Sequence, residues 1–198
     1  LKSLGRKYKV GKLYTYEQHA GCLADPHIDA VFIALPNSLH RDYTEQSAAA
    51  GKHVLCEKPM AMTEKDCRAM IDACRAAGVK LMIGYRLHFE KANLAAVDTV
   101  QSGRIGEPRL FDSVFTQDVA PGNIRLQATE GGPLYDIGIY CLNAARSLFR
   151  SEPTEVSAWH VSRTGDDRFE DVPEMTGASL RFPDDRVATF VCSFGGAA

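Results

Sequence analysis

Two short stretches of this 198-residue chain bring together residue types that could do chemistry. Glu57-Lys58-Pro59 directly follows the apolar run His53-Val54-Leu55-Cys56, which puts an acid and a base where a buried strand would end. In an open parallel sheet, ligands bind beyond the carboxyl ends of the strands, so a lysine there can exchange a proton with a small molecule. An ordinary loop ion pair has the same residues, and the tripeptide alone leaves both readings open. The second stretch, Gly131 to Tyr140, opens a helix behind Pro133, a residue suited to the first helical turn. Asp136 and Tyr140 are one turn apart there, so a carboxylate and a phenol can converge on one ligand. A helix-start acid and a half-buried aromatic would be spaced the same way.

The elements that must carry these residues follow from hydrophobic period. Ala30-Val31-Phe32-Ile33-Ala34-Leu35 is a continuous apolar run of strand length, as expected for a strand covered on both faces. Arg41 to Ala50 reads as a helix closed by Gly51, and His53 to Cys56 as the next strand. Thr63 is placed to cap a further helix, with Asp66 at the capping-box position. Cys67, Met70, Ile71, Cys74 and Ala77 form its expected apolar stripe, and Val79 to Ile83 completes a β-α-β-α-β alternation. Beyond Gly84 the character changes. Phe89 to Ser102 reads as a helix and Arg109 to Gln117 as a strand. A helix over 133–149 should bury Ile137, Cys141, Ala144 and Leu148, with Asp136, Tyr140 and Asn143 on the flank of that stripe. Thr154 to Ser162, Glu174 to Phe182 and Arg186 to Phe194 read as antiparallel strands, the last two joined through Pro183-Asp184-Asp185. The expected fold class is α/β: a partial Rossmann parallel sheet, then an α+β domain with a mostly antiparallel open sheet.

Composition narrows the partners. Hydrophobic residues make up 45% and charged residues 24%, with a net charge of −2 and no basic stripe, so nucleic acid is not an expected partner. No apolar stretch approaches the length of a membrane span. The six cysteines lack Cys-x-x-Cys spacing, which argues against zinc and a disulfide framework. Reduced thiols fit a cytoplasmic setting. Two features are missing: a Gly-x-Gly-x-x-Gly turn ahead of Asp29, since Gly5, Gly11 and Gly21 are not so spaced, and an initiating methionine. The chain is therefore expected to be the middle of a longer protein. Residues 1–88 would be the C-terminal part of a dinucleotide-binding domain, and 89–198 an incomplete substrate and oligomerisation domain.

Five pieces, in order, resemble the glucose-fructose oxidoreductase/inositol dehydrogenase (Gfo/Idh/MocA) family. They are Asp29 through His40, Gly51 through Pro59, Gly84-Tyr85-Arg86, Gly103 through Pro108, and Gly131 through Asn143. Tyrosine at position 140, where many members carry histidine, is most similar to the glucose-fructose oxidoreductase and dihydrodiol or pentose dehydrogenase branch. The resemblance implies an NAD(P)-dependent oxidoreductase acting on a sugar or related polyol. Lys58 would be the acid/base, Asp136 would orient substrate, and Tyr140 would be a second acid/base or a hydroxyl ligand. Leu35, Pro36, Asn37, His40, Glu57 and Lys58 would line the nicotinamide side of the cofactor, and Arg86 and Arg125 would contact its phosphate or the substrate. NADP is the expected cofactor, with NAD the alternative, and a homo-oligomer would form through the C-terminal sheet. Glu130 precedes two glycines where many members have three, a departure that makes the loop less permissive. A family fragment serving only as a binding or oligomerisation module is the competing reading.

Overall fold

Short β-branched runs alternating with helix-forming segments build the first half of the chain as its pattern implies. The computed structural model describes residues 1–196 and divides into two compact units: 1–35 with 39–84, and 36–38 with 85 onward. The first unit contains α1 (Lys2–Tyr8), α2 (His19–Ala24), β1 (Ala30–Ile33), α3 (His40–Ala49), β2 (His53–Cys56), α4 (Glu64–Ala76) and β3 (Leu81–Ile83). Its strands form a parallel sheet in the order β1-β2-β3, with Ile33 beside Cys56 and Cys56 beside Ile83. Thr63 caps α4 as expected, its hydroxyl oxygen accepting the Asp66 N–H at 3.1 Å, an interaction that typically stabilises by about 1 kcal/mol. Ahead of β1, the buried Asp25 carboxylate accepts from Lys12, from the Tyr14 hydroxyl at 2.7 Å and from the His27 N–H at 2.9 Å. The Lys12 ammonium and these donors hold its carboxyl well below the usual carboxylate range.

Two expectations for this unit differ from what the described residues show. Among them, helices cover one face of the sheet. Ile33, Val54 and Cys56 are buried with Met70 and Cys74 in one core, but the row Phe32–Leu55–Met82 lies on the other face, with Phe32 57% and Met82 48% exposed. Strand side chains alternate between faces. Since α3 and α4 pack on one another beside a single face, only alternate residues find cover. For the same reason the buried side of α4 runs through Met70 and Cys74, with Cys67 and Ala73 packed against the core, while Ile71 and Ala77 are exposed.

The second unit holds α5 (Lys91–Gln101), β4 (Leu110–Thr116), α6 (Ile139–Phe149), β5 (Glu155–Val161), β6 (Met175–Phe182) and β7 (Arg186–Ser193). Its sheet order is β4-β7-β6-β5. The pairs β5/β6 and β6/β7 are antiparallel, whereas β4 joins β7 in parallel, so the sheet is mixed. The β6–β7 turn has Asp184 at φ 62° and Asp185 at φ 55°. Two central residues in the left-handed region match the right-handed twist of a hairpin, and aspartate is among the few side chains that tolerate it.

α6 packs on the inner face of this sheet. Its buried residues are Cys141, Ala145 and Phe149, continuing from Ile137, rather than the expected Ala144 and Leu148. Steps of three and of four both fit a 3.6-residue period, and packing on the sheet selects the four-residue seam; the turn before it, Leu134–Gly138, is wound as a π-helix. Gly138 is required in that turn, because a Cβ there would sit 2.8 Å from Cys192 Sγ. All six cysteines are free, and burial pushes the Cys56 thiol up to about 12 and that of Cys192 up to about 11. No helix among the described residues is long and apolar enough to cross a membrane.

Candidate active site

In the first unit, the catalytic candidate sits where β2 ends. The Glu57 N–H donates to Ile33 O at 2.9 Å and the Gly84 N–H to Cys56 O at 2.7 Å, which ties the carboxyl ends of all three strands together. Glu57 and Lys58 are half-buried, the Lys58 N–H donates to Glu57 Oε2 at 3.2 Å, and the Lys58–Pro59 peptide is cis. Lys58 thus leaves the sheet at the carboxyl end of its central strand, where open α/β sheets bind ligands. His40 is fully buried, with Nδ1 2.8 Å from Pro59 O and Nε2 3.0 Å from Leu35 O. His40, expected to line the cofactor, ties together the loop ends after β1 and β2 through the Leu35 and Pro59 carbonyls.

The second unit gathers the other candidates. Asp136, in the π-helical turn, receives the Arg125 guanidinium at 2.8 Å, which brings an expected contact to cofactor phosphate or substrate onto an expected catalytic residue. Tyr140, in the first turn of α6, packs between aromatic rings: Tyr85 edge-on at 6.4 Å and Phe115 at 5.8 Å between centroids. A cavity of about 390 Å³ opens beside it, lined among others by Tyr85, His88, Asn93, Phe111 and Asn143. That volume falls in the range of small-ligand pockets, and its mixture of apolar wall and a few polar groups is typical of them. Arg86 is exposed in the short helical turn Arg86–Phe89.

Pro36, Asn37 and Ser38 belong to this second unit. Asn37 donates its backbone N–H to Glu130 Oε2 at 2.6 Å and its Nδ2 to Glu130 O at 2.9 Å, and the Ser38 hydroxyl donates to Glu130 Oε1 at 3.1 Å. In the sequence Glu130 stands out only as a departure in its loop, and Ser38 and Phe115 carry no site signal of their own. The pairing of positions 37 and 130 leaves no local trace, although the Gly131-Gly132 pair that follows does mark a tight turn.

A parallel sheet joined by helices, with acid and base groups at its carboxyl edge, is a dinucleotide-binding type of α/β architecture. Comparison with known proteins agrees. Residues 3–85 match the GFO_IDH_MocA description, an oxidoreductase family with an NAD-binding Rossmann fold, and residues 93–198 match the GFO/IDH/MocA C-terminal domain. The chain belongs to the Gfo/Idh/MocA oxidoreductase family. Aldose-aldose oxidoreductase from Caulobacter crescentus, solved with glycerol, is 42% identical with a TM-score of 0.94 over 98% of this chain and 60% of that one. D-xylose 1-dehydrogenase [NADP(+)] of Haloarcula marismortui is 38% identical over 85% of this chain and 49% of its own length. Mouse trans-1,2-dihydrobenzene-1,2-diol dehydrogenase is 31% identical over 97% of this chain and 56% of its own. The chain thus spans about half the length of the curated relatives it matches.

Proposed function

We propose that the complete protein is an NAD(P)-dependent oxidoreductase that moves a hydride between nicotinamide and a CH–OH carbon of a sugar or related polyol or diol. The observation that carries this reading is the position of Lys58 at the carboxyl end of the central parallel strand, in a chain whose two parts both match the family. The residues present fit the nicotinamide side of a dinucleotide: the loops after β1 and β2, Leu35-Pro36-Asn37 and Glu57-Lys58-Pro59, both leave the carboxyl edge of the sheet. Bound cofactor supplies or accepts the hydride. Lys58 takes the proton of the substrate hydroxyl during oxidation and returns it during reduction, which balances the reaction on oxygen. Asp136, itself held by Arg125, accepts a substrate hydroxyl and fixes its orientation. Tyr140 donates to the same oxygen or to its neighbour, and the cavity beside it takes the rest of the substrate.

NADP is the preferred cofactor, supported by the named dependence of the Haloarcula relative. Residues 1–88 are read as part of the dinucleotide-binding domain and 89–198 as part of the substrate domain, in a cytoplasmic protein. Titration of the complete protein with NADPH and with NADH should change nucleotide fluorescence saturably, with tighter binding of NADPH, and a panel of aldoses and polyols should then identify the substrate. Binding of neither nucleotide would sink the enzyme reading in favour of a non-catalytic module.

The outer face of the second sheet supports a homo-oligomer as part of the same reading. Val114, Val191, Gly177 and Trp159 form one cross-strand row there, with Val114 67% and Trp159 51% exposed. The Trp159 ring lies over Gly177, where a Cβ would come within 2.5 Å of the indole. Leu110 and Val187 form a second apolar pair on this face, across the polar row Asp112–Thr189–Ser179–Ser157. Large exposed apolar side chains grouped on one sheet face, rimmed by polar ones, support an association site. Val114→Asp should shift the complete protein from oligomer to monomer in sedimentation velocity. An unchanged sedimentation coefficient would place the interface elsewhere.

A further inference from the structure

Glu130 has a carboxylate that the proposed chemistry does not use. It is only 5% exposed, and no arginine or lysine pairs with it among the described residues. A charge taken out of water is costly unless donors replace the hydration it loses. Here the replacements all come from two consecutive residues far away in sequence: the Asn37 N–H at 2.6 Å and the Ser38 hydroxyl at 3.1 Å, with the Asn37 amide on the Glu130 carbonyl at 2.9 Å. Asn37 opens the short helical turn Asn37–Leu39, so the carboxylate stands where an N-cap side chain would and meets the positive end of the peptide dipoles. The bond to the backbone N–H is short, as charge-assisted bonds are.

The other side of the clamp is equally constrained. Glu130 ends the turn Ala128–Glu130, and the chain then passes through Gly131 at φ 81°, where a Cβ would lie 2.5 Å from the Tyr135 ring. Gly132 follows at φ 65° and leads directly into the turn that carries Asp136. Two glycines thus separate the residue holding Asn37 and Ser38 from the segment bearing Asp136 and Tyr140.

We infer that Glu130 is a positioning residue: its carboxylate fixes the Pro36-Asn37-Ser38 loop in the conformation that receives the nicotinamide side of the cofactor. The inference rests on the proposed function, because it takes from that reading the cofactor this loop would meet. A loop released from its clamp samples other conformations, and apparent affinity falls by the fraction of molecules that remain competent. The effect should therefore appear in cofactor binding and not in substrate recognition.

The test uses the complete protein and the variants Glu130→Ala, Glu130→Gln and Ser38→Ala, read by NADPH titration, by KM and kcat for each substrate, and by thermal unfolding. Glu130→Ala should raise the NADPH Kd and the cofactor KM by about tenfold while the sugar KM stays within about threefold. Glu130→Gln, which keeps an acceptor oxygen for the Asn37 N–H, should recover most of that loss. Ser38→Ala, which removes one exposed hydroxyl, should weaken NADPH by about two- to fivefold. A lowered unfolding temperature with unchanged NADPH Kd would assign Glu130 to structure alone and overturn the inference. If Glu130→Ala does not fold, Ser38→Ala decides, and an unchanged Kd there overturns it. Wild-type protein that binds no nicotinamide nucleotide would remove the proposed function and this inference together. Wild-type binding matched by all three variants would remove this inference only.

Discussion

Lys58→Ala in the complete protein should lower kcat by about 10²- to 10⁴-fold, the range that a positioned proton-transfer group contributes. The expectation rests on the place of the residue. Hydrogen bonds from Glu57 to Ile33 and from Gly84 to Cys56 fix the carboxyl edge of the sheet, and Lys58 leaves that edge from the central strand. His40 holds the carbonyl of the next residue, Pro59, so the main chain around Lys58 is secured on both sides. Cofactor affinity should change far less than kcat, because the loss concerns a proton moved in the transition state. Lys58→Arg should not rescue turnover, since guanidinium keeps its charge but does not release a proton in the useful range. A kcat for Lys58→Ala within a few-fold of wild type would remove this residue from the mechanism and leave Tyr140 as the candidate acid/base.

The second large effect concerns stability. Phe182→Ala should reduce the free energy of unfolding by about 3–5 kcal/mol, the usual cost of emptying a fully packed phenylalanine site. Phe182 is 1% exposed and meets Phe149 edge to face, with centroids 5.0 Å apart. Phe149 is the last residue of α6, and the Arg186 guanidinium lies over its ring while donating to its carbonyl at 2.8 Å. The ring therefore cannot swing down to fill the void. Urea titration, followed through the single tryptophan Trp159, reads the loss directly. A loss under about 1 kcal/mol would mean that the core collapses onto the vacated site.

Local patterns were legible where a few neighbouring residues settle the outcome. The apolar runs ending at Ile33, Cys56 and Ile83 became parallel strands, Thr63 capped α4, and Pro183-Asp184-Asp185 turned the hairpin. The cap and the turn depend on hydrogen bonds that span a few residues, and the strands are marked by apolar runs bounded by turn residues. The stripe of α6 falls on Cys141, Ala145 and Phe149, one position beyond the expected Ala144 and Leu148, because steps of three and of four both fit a 3.6-residue period and only packing on the sheet selects between them. The parallel joining of β4 to β7, within a mostly antiparallel sheet, has no local mark: strand direction depends on where the intervening chain carries the next strand, and no residue encodes that by itself.

The sequence by itself determined the chemistry available: a lysine at a strand end, a carboxylate and a phenol one turn apart, and five pieces in the order of an oxidoreductase family. Tertiary structure alone decided which partners those groups meet. It set Arg125 on Asp136, placed the Tyr140 ring between Tyr85 and Phe115, and buried the Glu130 carboxylate against Asn37 and Ser38. The division has a physical cause. Backbone preferences and helix caps act over a few residues, whereas a buried charge takes whichever donors the packed chain brings within hydrogen-bond reach, here across more than ninety positions.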